Sequence, residues 1–160
     1  GPCEVGLEST IVDLSRSQPA LLRPGGLPQR DIERVLGQAL AEPDRGAPRV
    51  SGSLAAHYAP RTPLEVLPRE AIESRLTVLV SRGLRVAVCS QRRPDGPCAM
   101  WIAASPDPGG FGRELYANLR ALDRSGANCL LIEAPASGPD WLAASDRLAR
   151  AAVGAGRLPD

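Results

Sequence analysis

Hydrophobic and polar positions along this chain fall into two rhythms. Up to about residue 45 the apolar runs are short. Ser9-Thr10-Ile11-Val12-Asp13-Leu14 reads as a β-branched strand and Ala20-Leu21-Leu22-Arg23 as a second, shorter one. Arg23-Pro24-Gly25-Gly26 breaks that strand, and Pro28 opens a helix predicted to run to about Ala41. Its positions Ile32, Val35, Leu36, Ala39 and Leu40 follow the spacing of one buried face. Glu42 to Pro48 stops the helix and begins a Pro- and Gly-rich connector that ends near Pro63.

From Leu64 onward strands alternate with amphipathic helices. Leu64 to Leu67, Arg85 to Ser90, Met100 to Ala104 and Cys129 to Glu133 read as strands, the last a continuous apolar run of the buried, parallel-sheet type. Helices are predicted from Pro68 to about Arg82, from Phe111 to Ser125 and from Trp141 to Val153, with Leu115, Leu119 and Leu122 lining one face of the second. Gly154 to Asp160 reads as a frayed tail. This alternation predicts a small three-layer, Rossmann-like α/β domain. The division that follows is 1–45 as an incomplete piece of one domain, 46–63 as a linker and 64–160 as an accessory α/β domain. A strand so near Gly1 needs further partners for its faces and backbone groups, so the opening reads as the end of a larger domain.

Composition narrows the classes. With 160 residues, 43% hydrophobic and 23% charged, the chain is a soluble globular protein rather than a disordered one. Aromatic residues are only 3%, so aliphatic side chains must build the core. A net charge of +1 with scattered arginines gives no case for stable nucleic-acid binding. Cys3, Cys89, Cys98 and Cys129 lack zinc-ligand spacing and read as free thiols of a cytoplasmic protein. No apolar run approaches the ~20 residues of a membrane helix, and no secretory leader is visible.

Few residues stand out chemically. Arg23 at a strand end beside two glycines suits an anion clamp, against the plainer reading of a solvated turn arginine. Ser9 and Thr10 offer hydroxyls to a polar ligand, or are ordinary strand residues. His57, the only histidine, and Tyr58 occupy the connector, where rings suggest docking or simple packing. Asp107-Pro108-Gly109-Gly110-Phe111-Gly112 opens a helix and reads as a flexible turn, the alternative being an anion site made of helix amides.

Five segments together resemble the carboxy-terminal half of the long, two-domain threonylcarbamoyl-AMP synthases of the YrdC-like family. They are Gly1 to Asp13, Leu22 to Gly26, Ser51 to Pro60 ending His-Tyr-Ala-Pro, Leu115 to Asp123, and Asp146-Arg147-Leu148. The resemblance implies a nucleotidyltransferase that makes L-threonylcarbamoyladenylate from L-threonine, bicarbonate and ATP, for threonylcarbamoyladenosine at tRNA position 37. It implies that 1–45 is the end of a YrdC-like catalytic domain. It also implies that Ser9 contacts threonine, that Arg23 contacts the ATP phosphates, and that Tyr58 closes over the nucleotide, with Thr10 and His57 in support. ATP enters as a substrate with Mg2+, and no tightly bound cofactor is implied. The family's Lys/Arg-rich amino-terminal catalytic half is the expected partner, and without it the chain is expected to be inactive. The other reading is a non-catalytic α/β module that binds a ligand or partner.

Overall fold

The computed structural model describes residues 7, 9–44, 46–48, 50 and 59–156. Eleven elements follow in chain order: β1 (Ile11–Asp13), β2 (Ala20–Arg23), α1 (Gln29–Leu36), β3 (Leu64–Leu67), α2 (Arg69–Ser81), β4 (Val86–Ser90), β5 (Met100–Ala103), α3 (Pro108–Asp123), β6 (Cys129–Glu133), a 3-10 turn (Pro139–Trp141) and α4 (Leu142–Gly154).

The second part is an α/β unit on a parallel four-stranded sheet of order β3-β6-β4-β5. Its two central strands are buried on both faces, which explains their unbroken apolar runs. Successive side chains of a strand point to opposite faces. Ala87, Cys89, Leu130 and Ile132 therefore meet α3 and α4, while Val86, Val88, Cys129 and Leu131 meet α2. Helices cover both faces of the sheet, as the alternating pattern predicted. The connection from β4 to β5 is tied back to α2, where the Glu73 carboxylate accepts from the amides of Asp95 (3.1 Å) and Gly96 (2.8 Å).

The helix expected from Phe111 begins three residues earlier, at Pro108. Asp107 caps it by accepting from the Gly110 amide at 2.7 Å, and Pro108 occupies the first turn, where its missing N–H costs nothing. The segment read as a flexible turn is thus an ordered helix start. Gly110 is required there: a Cβ would lie 2.8 Å from Asp107 Oδ2 and closer still to Ser105 Oγ.

The first part is an antiparallel pair, β1 with β2, pairing Val12 with Leu21 and Asp13 with Ala20. Here α1 corrects the expectation of a helix to Ala41 with one buried face. It ends at Leu36, where Gly37 adopts φ 69° and donates its N–H to the Glu33 carbonyl at 2.9 Å. None of its residues is buried, and Val35 is 86% exposed. The chain then runs alongside β2: Ala41 donates to the Pro19 carbonyl (2.8 Å) and accepts from the Leu21 amide (3.0 Å). Leu40 is buried by this extended run rather than by a helix face. The helical spacing of Ala39 and Leu40 carries no helix, because the left-handed glycine interrupts it.

Candidate functional site

The antiparallel pair and the loop after β2 bring Ser9, Thr10 and Arg23 together. Ser9 is exposed just before β1, and Arg23 ends β2 with only 6% of its surface open. The guanidinium donates from Nε (3.2 Å) and Nη2 (2.8 Å) to the Ser9 carbonyl. The Thr10 hydroxyl donates to the Leu27 carbonyl at 2.8 Å and accepts from the Leu27 amide at 3.2 Å. That reciprocal pair pins loop 24–27 against the start of β1, so two motifs separated in sequence form one small surface. His57 and Tyr58 lie outside the described residues.

Thr10 and the loop after β2 form one wall of a cleft of about 220 Å3, whose lining does not include Ser9 or Arg23. Thr10 and loop 24–29 face Gly109, Asp140, Leu142 and Ala143 across it, so the α/β unit supplies the second wall. Among the described residues, contacts cross between the walls at three places. Arg30 Nη2 pairs with Asp140 Oδ1 at 3.1 Å; Arg147 Nη2 donates to the Pro24 carbonyl at 3.4 Å; and Leu7 lies over Gly112, where a Cβ would come within 2.7 Å of Leu7 Cγ. None of these contacts was foreseen from the sequence. Arg147 left a signal: it is the one charged member of the buried face of α4, among Ala143, Ala144, Leu148 and Ala151. Asp140 and Leu7 left none.

The connector rejoins the α/β unit through Asp123, the last residue of α3, whose Oδ1 accepts from the Thr62 amide at 2.9 Å. Burial pushes the Asp123 carboxyl up, but the Thr62 amide and hydroxyl and the nearby Arg61 outweigh it, leaving it below the usual carboxylate range. At α3's other end the Gly110 amide is already engaged by Asp107, whose carboxyl is lowered by that bond and by the Ser105 hydroxyl. An incoming anion would have to displace a carboxylate there, which weakens the helix-amide reading.

Among the described residues the cleft lining holds no Cys, Ser, Lys or His, and its one hydroxyl, Thr10, is engaged by Leu27. Burial, with Glu114 and Glu133 nearby, pushes the Cys89 thiol up to about 12, and burial with Glu65 pushes Cys129 up to about 11. Both are structural thiols in the core. Among the described residues no group of three or more His, Cys, Asp or Glu could hold a metal ion. No helix among them is long and apolar enough to cross a membrane. The cleft can present backbone groups and the side chains of Thr10, Gln29 and Asp140 to a small polar ligand, while Arg23, buried and donating to the Ser9 carbonyl, is not among its lining residues.

Comparison with known proteins agrees with this architecture. The chain is 30% identical over 162 residues to the threonylcarbamoyl-AMP synthase of Pyrococcus abyssi, covering 94% of this chain and 47% of that protein. The threonylcarbamoyl-AMP synthase of Bacillus subtilis is 29% identical over 169 residues, with 96% and 47% covered. The chain therefore spans about half the length of the curated relatives it matches. Among solved structures it is similar to P. abyssi Sua5 complexed with L-threonine, with a TM-score of 0.78 and 29% identity over 95% of this chain and 47% of that one. A double-alanine variant of P. abyssi Sua5 gives a TM-score of 0.73 at 26% identity, over 95% and 46%. The sequence profile described as "Threonylcarbamoyl-AMP synthase, C-terminal domain" matches residues 27–153, most of the α/β unit together with α1. On that match, the chain belongs to the family of threonylcarbamoyl-AMP synthase C-terminal domains.

Proposed function

We propose that this chain is the distal part of an L-threonylcarbamoyladenylate synthase, a nucleotidyltransferase acting in the cytoplasm. The enzyme joins L-threonine, bicarbonate and ATP into threonylcarbamoyl-AMP, releasing pyrophosphate, for the modification of tRNA position 37. In this reading 1–45 completes a YrdC-like catalytic domain, 46–63 is the linker and 64–160 the accessory domain. The observation that carries it is the likeness to a threonylcarbamoyl-AMP synthase along 94% of the chain, within which Arg23 holds the Ser9 carbonyl and Thr10 pins loop 24–27 beside the cleft. A hydroxyl at Ser9 suits the polar atoms of an amino acid, and the Arg23 fork suits phosphate oxygens. Tyr58 on the linker would close over the nucleotide, supported by His57, and keep a labile carbamoyl intermediate from water. The L-threonine bound by the similar P. abyssi protein supports threonine as the amino acid.

One arginine cannot spread the charge of a triphosphate, so the chain needs a Lys/Arg-rich amino-terminal half for catalysis. Threonine-dependent pyrophosphate release tests this. The purified chain alone should give none, and adding the amino-terminal half should restore it. Robust turnover by the chain alone, or none by the combination, would overturn the reading. In the active combination Arg23→Ala should weaken ATP binding by about 1.5–3 kcal/mol, the value of a charge-assisted hydrogen bond. Unchanged ATP affinity would remove the role given to Arg23.

A further inference from the structure

A guanidinium on the buried face of a helix is costly unless its hydrogen bonds are met. Arg147 occupies such a place on α4, only 3% exposed and flanked by Ala144, Leu148 and Ala151. Its Nη1 donates to Asp146 Oδ2 at 2.7 Å, and its Nη2 donates to the Pro24 carbonyl at 3.4 Å. Asp146 is in turn gripped by Arg150, through Nη2 at 2.8 Å and Nε at 3.0 and 3.1 Å. The carboxylate lies between two arginines and so aims the first of them. Leu142 and Ala143, one turn earlier on α4, line the cleft that loop 24–29 also lines. One face of α4 thus lies under that loop from the cleft to Pro24.

We infer that Arg147 is a positioning residue through which the α/β unit sets the loop that follows Arg23. Pro24 has no N–H, so its carbonyl is the only backbone handle at that position. Holding it orients the peptide joining Arg23 to Gly25 and, with the Thr10–Leu27 pair, fixes the loop at both ends. A planar fork can serve a carboxylate and a carbonyl at once, whereas an ammonium is a single point charge that would have to choose. The consequence for nucleotide binding rests on the role proposed above for Arg23; the consequence for the loop does not.

Two measurements separate these consequences. In the 160-residue chain the Leu27 amide, bonded to Thr10, reports loop opening, and the Leu130 and Leu131 amides report the core. Arg147→Lys and Arg147→Met should each speed exchange at Leu27 about tenfold or more, leaving Leu130 and Leu131 within about threefold of the unsubstituted chain. Leu27 exchange that stays unchanged, or that rises only in step with the core, would overturn the inference. Arg147→Lys keeps the charge and decides the question even if Arg147→Met does not fold. In the chain combined with an amino-terminal half, the same lysine variant should raise the KM for ATP about tenfold and leave kcat and the threonine KM within about threefold. Equal losses for both substrates would also overturn it, because a merely structural role would not single out the nucleotide. If the unsubstituted combination is inactive, the proposed function fails while the exchange result still decides the loop.

Discussion

The two parts of this molecule are held together by different physics. The α/β unit is organised by burial: Leu76, Leu122, Leu130 and Leu131 are fully enclosed, and the sheet has a hydrophobic layer on each face. The β1–β2–α1 part encloses little, leaving Leu14, Leu27 and Val35 exposed and burying no residue of α1. It is tied by polar contacts instead. Asp13 accepts from the Ser15 amide and hydroxyl, Arg16 pairs with Asp44, and Glu33 accepts from Gln29 and the Leu40 amide. Such ties contribute about 1 kcal/mol each at best near water, whereas a buried leucine contributes several. The difference teaches where each part draws its stability: the α/β unit from its own enclosed core, the other from surface ties and from its crossings to the α/β unit.

The contrast can be broken or sharpened in four ways. Leu131→Ala should cost about 2–5 kcal/mol by urea unfolding, while Val35→Ala should change stability by no more than about 0.5 kcal/mol. Similar losses from both would erase the distinction. Next in size, Gly112→Ala drives a methyl into Leu7 and should cost about 1–3 kcal/mol, with faster amide exchange in 11–13 and none in 129–133. Equal acceleration in both strands would show that Leu7 belongs to the core rather than to a crossing.

Acid should loosen the first part before it reaches the sheet of the second, whose lowered carboxyls, Asp107 and Asp123, sit at the two ends of α3. Asp13, Glu33 and Asp44 all lie below their ordinary values of 3.8, 4.5 and 3.8, chiefly because Ser15, Gln29 and Arg16 donate to them. Folded values below unfolded ones mean stabilisation that is complete above the ordinary value and lost as pH falls through the folded one. Lowering the pH below about 4 should therefore free the Leu40 amide before Leu130 and Leu131 lose protection. Simultaneous loss would contradict the ordering. The smallest effect is expected from Arg30→Gln, which removes an exposed ion pair with Asp140 worth less than about 1 kcal/mol. The loss should vanish in high salt, and a salt-independent one would point to packing instead.

Legibility in the sequence followed the same divide. Each strand and helix of the α/β unit was readable, because burial on one or two faces imprints a period on the side chains. Apolar spacing misplaces the start of α3, since it does not register the cap formed by Asp107 and Pro108. In the first part, apolar spacing predicts too long an α1, because it continues past a glycine whose positive φ ends the helix. Ser9, Thr10 and Arg23 could be singled out as candidates, and the structure gathers them. The crossings could not be read, since Arg147 with Pro24 and Arg30 with Asp140 join positions 123 and 110 residues apart. Contacts at that range have no period to betray them.

The bond between Asp123 and Thr62 has a consequence of another kind. Ala41 is fastened beside β2 and Thr62 to the end of α3, so both feet of the connector are anchored to ordered structure. Asp44 is held as well, by Arg16, and itself accepts from the Gly46 amide, so the anchoring on the first side reaches beyond Ala41. The chain therefore leaves one part and enters the other at two fixed points. A single proteolytic nick between those points would leave two pieces still joined through the Arg30–Asp140 and Arg147–Pro24 contacts and the packing of Leu7 over Gly112. Whether the nicked pieces stay together in solution then reads out the strength of those contacts directly.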